Sequence, residues 1–274
     1  MNVARVSRWS DDGWVPDDGG TVGRVLVADS WLVDDGLVRA LDVHRDRFAG
    51  SVADAAPPLA AEGAGFWSAV VAALPREGAW FPRVELVERT PSDRDRDRDR
   101  DRDDEGTGPL LRLHLRPAPE RRPDVVLATA PVDPRTAPLV KGPDLAALGA
   151  LREAVAPLGA EEAVLLGPDG TIVEGAWSSI VWWEGDALCL PPADVARLPG
   201  VTLRTVLALA AALGVDVLHE RRRPDELDGL EVWSLSALHG ARIATRWVDG
   251  PALAEQPGRL RAWRARLDAL RRPL

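Results

Sequence analysis

In the first half of the chain, apolar residues cluster in short runs or alternate with polar ones, a pattern that predicts short strands and two helices. The predicted strands cover residues 24–32, 37–41, 80–89, 110–116 and 124–130, and the predicted helices cover residues 42–54 and 66–74. A tight turn is expected at Asp34-Asp35-Gly36, and Asp42 is the expected N-cap of the first helix.

The strands at 80–89 and 110–116 are predicted to form a hairpin. In the second of them, three leucines alternate with Arg112, His114 and Arg116. Because consecutive strand residues point to opposite faces, we expect one buried face and one solvated face. Between the strands, residues 93–105 are mainly repeated Arg-Asp pairs without an apolar residue, which is typical of a solvated, mobile loop.

The second half of the chain alternates predicted helices and strands. Helices are expected at 144–158, with Asp144 as N-cap, at 202–213 and at 260–270, and strands at 163–166, 171–174, 179–183, 187–190, 215–219 and 231–235. Three prolines at 131–138 indicate a linker between two parts. We therefore predict a two-domain α+β fold, with a small N-terminal domain at 1–132, a linker at 133–140 and a larger C-terminal domain at 141–274.

Composition narrows the possible functions. A formal net charge of -9, with arginines scattered among acidic residues, argues against a nucleic-acid-binding surface. The single cysteine excludes an internal disulfide, and the four histidines have no metal-ligand spacing, so no metal site is expected. No apolar run resembles a signal peptide or could span a bilayer. We expect a cytoplasmic protein that acts on a small molecule, without a nucleic-acid or membrane partner.

Lysine usage points to a specific chemistry. Of the 34 lysine and arginine residues, only Lys141 is a lysine. Arginine can replace lysine at most surface positions, but a guanidinium is effectively never deprotonated and is a poor nucleophile. A lysine amine can attack an aldehyde and form an imine. The lone lysine therefore suggests covalent catalysis, although chance survival of one lysine is an equally simple explanation until its neighbours are considered.

Three segments, in order, resemble the class IV pyridoxal-phosphate enzymes, a family that holds branched-chain aminotransferases, D-amino-acid aminotransferases and 4-amino-4-deoxychorismate lyases. The segments are DGLVRALDVHRDRF, the single Lys141, and the block GPDGTIVEGAWSSIVWWEGDALCLPP followed by LPGVT. The resemblance extends over about residues 25–247. It implies fold type IV, as in D-amino-acid aminotransferases, with a small α/β domain, a larger pseudo-barrel domain, bound pyridoxal 5'-phosphate and a homodimer whose active sites lie between the domains.

The resemblance also implies roles for particular residues. Lys141 would hold the cofactor aldehyde covalently and then move protons as general base and acid. Glu174 would face the pyridine nitrogen and keep it protonated. Arg47 would bind the phosphate, together with a cup formed by Gly200, Val201 and Thr202 at a helix N-terminus. The role of His44, three residues before Arg47, is left open.

Some residues depart from the family pattern. Ser178-Ser179 replaces a common Ser-Asn pair, Leu203 separates Thr202 from the arginine that usually follows it, and the chain contains no tyrosine. Aminotransferases of this family usually place tyrosines near the cofactor oxygen and the substrate carboxylate. The segment SLSALHGARIATRWVDG is closer to the lyases, although Ser236 replaces their asparagine.

These features favour a 4-amino-4-deoxychorismate lyase that gives 4-aminobenzoate and pyruvate. The alternatives are an aminotransferase for branched-chain or D-amino acids and a non-catalytic homologue that acts as a binding module. Ser30 is a candidate proton donor to a leaving group. His239 and Arg242 are candidates for binding a substrate carboxylate, although a buried histidine and a solvated arginine are equally good interpretations.

Overall fold

The computed structural model describes residues 5–10, 13–17, 22–89 and 108–274; the predicted charged loop at 93–105 lies outside them. The helices are α1 (Leu41–Ala55), α2 (Gly63–Ala73), α3 (Leu145–Val155), α4 (Val201–Leu213) and α5 (Arg259–Ala269), with 3-10 turns at Pro57–Glu62, Ala156–Leu158 and Pro224–Leu227. No helix among these is long and apolar enough to cross a membrane.

The described residues also form strands in three sheets. The strands are β1 (Arg5–Ser10), β2 (Gly13–Pro16), β3 (Val22–Ser30), β4 (Val33–Asp34), β5 (Leu37–Val38), β6 (Ala79–Trp80), β7 (Arg83–Arg89), β8 (Leu110–Leu115), β9 (Asp124–Thr129), β10 (Glu162–Leu166), β11 (Ile172–Gly175), β12 (Ser179–Glu184), β13 (Ala187–Leu190), β14 (Val217–His219), β15 (Glu231–Ser236), β16 (Gly240–Val248) and β17 (Arg272–Pro273).

The chain divides into two compact units. The first contains Met1–Pro119, Val140–Pro143 and Arg272–Leu274, and the second contains Glu120–Leu139 and Asp144–Arg271. Residues 120–132 were predicted to belong to the N-terminal domain. They fall in the second unit, because β9 pairs with β10 and β16. Lys141 falls in the first unit, since its carbonyl accepts a hydrogen bond from the amide of Ala28.

In the first unit, an antiparallel sheet of order β2-β1-β8-β7-β3 packs one face against α1 and α2, and a smaller sheet has the order β17-β5-β4-β6. The predicted tight turn is confirmed between β4 and β5: Asp35 and Gly36 have φ values of 49° and 71°, which is the type I′ geometry. The predicted hairpin is confirmed as well, because β7 and β8 pair antiparallel.

The N-cap predicted at Asp42 is wrong by two residues. The N-cap of α1 is Ala40, in the left-handed conformation and without a side-chain cap, while Asp42 lies in the first turn. A carboxylate there interacts favourably with the helix dipole, which explains why the sequence resembles a cap. α1 buries His44, Phe48 and Val52 along one side, and this side faces the sheet.

The solvated face predicted for the strand at 110–116 is also wrong. Arg112 is only 6% exposed and donates a 2.6 Å hydrogen bond to Glu85, which is fully buried on β7. His114 lies 2.7 Å from the same Glu85 oxygen, and Arg83 lies 2.7 Å from the other one. Alternating polar residues therefore mark a buried ion-pair cluster here, since paired charges can be buried where isolated ones cannot.

The second unit contains a mixed sheet of order β11-β10-β9-β16-β15-β12-β13-β14. Trp182 and Trp183 on β12 pack on two surfaces, because the two rings belong to different apolar clusters. Trp183 packs edge-on against Trp233 and Trp263, with ring centroids 5.2 and 5.4 Å away. Strand β16, which pairs with both β9 and β15, was missed by the sequence analysis.

Candidate functional site

In the first unit, the backbone of Lys141 is fixed against β3. Its carbonyl oxygen accepts a 2.6 Å hydrogen bond from the amide of Ala28. The next residue, Gly142, has a φ of 142°, and a Cβ atom there would lie 2.8 Å from the Cα of Val27. Glycine is therefore required at 142 for the segment to approach the strand so closely. The sequence analysis missed this residue.

Beside Lys141, the buried carboxylate of Asp29 organises two residues of α1. Oδ1 accepts hydrogen bonds of 2.8 Å from His44 Nδ1 and from Arg47 Nη2, and Oδ2 accepts a 2.8 Å bond from Arg47 Nε. The amide of Ser30 donates a 2.7 Å hydrogen bond to Oδ1. Asp29 itself is fully buried. A two-point ion pair of this kind fixes the plane of the guanidinium as well as its position.

The charges in this cluster determine its protonation. Burial alone would raise the pKa of Asp29, but the charges and hydrogen bonds of His44 and Arg47 hold that pKa far below its ordinary value. Burial lowers the pKa of the His44 ring, and the charges of Arg47 and Lys141 lower it further, against the opposing effect of Asp29. At neutral pH, Asp29 is therefore an anion and His44 is neutral. Because Asp29 only accepts, His44 carries its proton on Nδ1.

In the second unit, Glu174 is the penultimate residue of β11 and is buried. Oε1 lies 2.5 Å from Arg135 Nη1, and the amide of Leu198 donates a 3.2 Å hydrogen bond to Oε2. Burial raises the pKa of Glu174 to about 7, although Arg135, the Leu198 amide and Arg197 act in the opposite direction. Near pH 7, the carboxyl group is thus poised between its neutral and its ionised form.

The predicted cup residues lie at the start of α4. Gly200 is the N-cap and has no side chain, and Val201 and Thr202 are the first helical residues, both buried. A Cβ on Gly200 would lie 2.7 Å from the hydroxyl of Ser179. The helix N-terminus concentrates N–H groups and partial positive charge, which suits an anion.

Ser178 is held by another buried acid. Its hydroxyl donates a 2.9 Å hydrogen bond to Glu162, and the amide of Trp177 donates a 3.2 Å bond to the same carboxyl group. Burial raises the pKa of Glu162. Gly175 is required in this turn because its Cβ would lie within 3.1 Å of the Glu162 side chain. Glu162 thus supports the turn that follows Glu174.

His239 and Arg242, the candidates for binding a substrate carboxylate, have partners of their own. Arg242 is 4% exposed, with Nη1 3.4 Å from Glu161 and Nη2 3.5 Å from Ser234. His239 Nδ1 accepts a 3.2 Å hydrogen bond from the amide of Arg122. Burial, followed by the charge of Arg242 and other arginines, lowers the pKa of His239 to about 4. In the part of the chain that the structure describes, neither side chain bonds to Glu174.

The structure therefore groups the predicted residues into two sets. Lys141, His44 and Arg47 share one cluster in the first unit, and Glu174 lies with the segment that leads to Gly200 in the second. The sequence analysis missed Asp29, Arg135, Gly142 and Glu162. Two signals were present in the sequence: Gly142 follows the only lysine directly, and Asp29 is an acid that directly follows the apolar run at 25–28.

Comparison with known proteins shows the family of the chain. The family model described as amino-transferase class IV matches residues 26–247. A branched-chain-amino-acid aminotransferase of Pseudomonas aeruginosa is 37% identical over 78 residues, which are 28% of this chain and 25% of that protein. The aligned region thus spans a quarter of that relative's length.

Solved structures share the fold. A fold IV transaminase of Curtobacterium pusillum has a TM-score of 0.74 at 20% identity, with 97% of each chain covered. A branched-chain aminotransferase of Thermoproteus uzoniensis has a TM-score of 0.77 at 18% identity, covering 97% of this chain and 98% of that one. A pyridoxal-phosphate-bound aminotransferase of Mycobacterium tuberculosis has a TM-score of 0.71 at 20% identity, with 98% of each chain covered. The chain belongs to the class IV amino-transferase family, whose members are pyridoxal-phosphate-dependent enzymes.

Proposed function

We propose that the protein is an aminotransferase in which Lys141 binds pyridoxal phosphate covalently. The observation that carries this proposal is the position of the only lysine: Gly142 and the amide of Ala28 hold it on β3, beside the buried cluster of Asp29, His44 and Arg47. A lysine retained for its charge alone would need no such fixed backbone. Family membership supports the same assignment.

The donor groups of the chain fit the three polar ends of this cofactor. Arg47, oriented by Asp29, suits the phosphate, and so does the N-terminus of α4 at Gly200, which has no side-chain cap. The carboxyl group of Glu174 suits the pyridine nitrogen. The amine of Lys141 suits the aldehyde. We infer that these residues together hold the cofactor.

The chemistry follows from these positions. When bound, the cofactor accepts the electron pair released at the substrate carbon. Once the substrate amine has displaced Lys141 from the aldehyde, the free Nζ of Lys141 would take the proton from the carbon that bears the amino group and later give a proton back, as general base and then general acid. Glu174 holds the proton on the ring nitrogen. Asp29 keeps Arg47 in place and orients the ring of His44, which burial keeps neutral.

A lyase that releases pyruvate from 4-amino-4-deoxychorismate is the second candidate. One observation favours it: the chain has no tyrosine, so the tyrosine contacts usual in aminotransferases of this family are missing. The class of the family and the curated relative favour amino-group transfer instead. A non-catalytic role would leave the buried cluster beside Lys141 and the poised carboxyl of Glu174 without a purpose.

A half-reaction experiment separates these possibilities. The protein loaded with pyridoxal phosphate is mixed with single amino acids, and the cofactor absorbance is followed. The aminotransferase proposal predicts conversion to the pyridoxamine form, which a keto acid then reverses. Pyruvate release from aminodeoxychorismate, without any keto acid, would support the lyase instead. An unchanged spectrum with every substrate would contradict both.

We further propose a homodimer, because the resemblance implies one. Sedimentation velocity over a range of protein concentrations tests this proposal. A single species with the mass of one chain at all concentrations would overturn it.

A further inference from the structure

We propose that Arg135 is a positioning residue that favours the ionised form of Glu174, so that the carboxylate can hold the proton on the cofactor ring nitrogen. This inference rests on the proposed function, in which Glu174 faces that nitrogen. Arg135 was assigned no role by the sequence analysis, which placed it within the linker predicted at 133–140.

The geometry of Arg135 is that of a fixed clamp. Its Nε and Nη2 atoms donate hydrogen bonds of 2.9 and 2.7 Å to the two carboxylate oxygens of Asp133. Its Nη1 lies 2.5 Å from Glu174 and donates a 3.1 Å bond to the carbonyl of Ala196. The side chains of Arg135 and Glu174 are 7% and 8% exposed. A planar guanidinium makes these contacts together in one fixed orientation.

The neighbouring charges explain why this pair matters. Burial drives Glu174 towards its neutral form, and Arg135 provides the largest opposing effect. Arg197 adds a second positive charge, but its guanidinium bonds to the carbonyl of Pro191. Arg135 also pairs with Asp133, and its positive charge helps to lower the pKa of Asp144. Glu174 therefore depends mainly on a single buried ion pair for its charge.

The ionisation of Glu174 determines what it can do for the cofactor. A carboxylate stabilises a proton on a ring nitrogen by direct attraction, whereas a neutral carboxyl group does not. Loss of Arg135 would leave a neutral acid opposite the ring and a weaker electron sink. A merely structural Arg135 would connect Asp133 to the segment at 196–198 without affecting the ionisation of Glu174.

The test is a carbon-13 NMR titration of the apoprotein labelled at glutamate side-chain carboxyl groups, with Glu174→Gln used to assign the signal. Arg135→Gln should raise the titration midpoint of Glu174 by about 1 pH unit or more, the range expected when an adjacent opposite charge is lost. Arg135→Lys should restore most of the difference. Arg197→Gln, which removes a nearby charge without an ion pair to Glu174, should give a smaller rise.

A second variant keeps the test decisive if Arg135→Gln does not fold. Asp133→Asn retains the arginine and removes the anion that shares it, so the midpoint of Glu174 should fall. An unchanged midpoint in the folded Arg135→Gln protein, or a rise in Asp133→Asn, would overturn the proposal.

Failure of the inference can be told apart from failure of the proposed function. Borohydride reduction of the wild-type protein with pyridoxal phosphate reports on Lys141 alone. If Lys141 is labelled but the Glu174 midpoint does not depend on Arg135, only the role of Arg135 falls. If Lys141 is not labelled, the proposed function falls, and the inferred ring-nitrogen contact falls with it. In a labelled enzyme, Arg135→Gln should also weaken cofactor affinity, and Arg135→Lys should rescue it.

Discussion

The carbonyl oxygen of Lys141 accepts a hydrogen bond from the amide of Ala28, the residue that precedes Asp29 on β3. The strand therefore holds Lys141 through its main chain and holds Arg47 through the side chain of Asp29. Both groups proposed to bind the cofactor in this unit are positioned by one rigid element. Sites on strands are held more precisely than sites on loops.

The close approach at Gly142 predicts a stability effect. In Gly142→Ala, the new Cβ would lie 2.8 Å from the backbone of Val27, in a conformation with φ of 142° that alanine rarely adopts. We expect the free energy of unfolding to fall by about 2 kcal/mol or more, together with weaker cofactor capture. Denaturant unfolding measures the first effect. Gly50→Ala, at an exposed position within α1 with open space around it, is the control and should gain about 0.5–1 kcal/mol.

The buried acid of the first cluster predicts a second effect. Asp29→Asn removes the anion that pairs with Arg47 and leaves the guanidinium without its counter-charge in a buried setting. We expect the free energy of unfolding to fall by about 3 kcal/mol at pH 7, because the variant leaves a buried positive charge without a counter-charge. Cofactor affinity should fall as well.

The control for Asp29→Asn lies on α1, the helix that carries Arg47. Asp46 is 64% exposed and pairs with Arg45 on the surface, so Asp46→Asn should change the unfolding free energy by less than about 0.5 kcal/mol. Equal effects of the two substitutions on the free energy of unfolding would contradict a stabilising role for the buried Asp29–Arg47 ion pair.

The raised pKa of Glu174 predicts a pH dependence. Its pKa is about 7 in the folded protein, against 4.5 as the ordinary value. Between these values the unfolded chain loses the proton first, so the folded apoprotein should become less stable as pH rises from about 4.5 to 7. Glu174→Gln cannot ionise and should lack this loss.

Urea unfolding of both apoproteins between pH 5 and 8 measures the difference. The stability of Glu174→Gln relative to wild type should increase across this range, by up to about 3 kcal/mol. Glu153→Gln, on the exposed side of α3, should follow the wild-type curve. Parallel curves for Glu174→Gln and wild type would contradict a raised pKa.

Much of the fold could be predicted because local signals and tertiary structure agree. The type I′ turn at Asp35-Gly36 follows from the conformational freedom of glycine, which acts locally. The paired strands β7 and β8 follow from hydrophobic alternation. In these places, no distant residue was needed to decide the structure.

Other features depended on contacts between distant parts of the chain. The polar face of β8 was predicted to be solvated, but Glu85 compensates Arg112 in a buried cluster. Asp144 does occupy the N-cap position of α3, yet its carboxylate accepts hydrogen bonds from Thr136 and Ala137 instead of capping the helix. Local sequence does not reveal which partner a buried charge will have.

The same limit applies to the candidate site. Lys141, Glu174 and Arg47 were predicted from residue type and family order, and their roles stay predictions. Asp29 and Arg135, which hold two of them, lie 18 and 39 residues away from their partners along the chain. Orienting residues of this kind are defined by the fold, so a single sequence gives little indication of them.

The covalent role of Lys141 is the central claim, and one measurement tests it most directly. The protein is incubated with pyridoxal phosphate, reduced with borohydride, digested and mapped by mass spectrometry. Because Lys141 is the only lysine, the only other primary amine that can compete is the α-amino group of the chain. The account predicts a stoichiometric label on the peptide that contains Lys141 and no label there in Lys141→Arg. A label found only at the α-amino group, or no label at all, would contradict it.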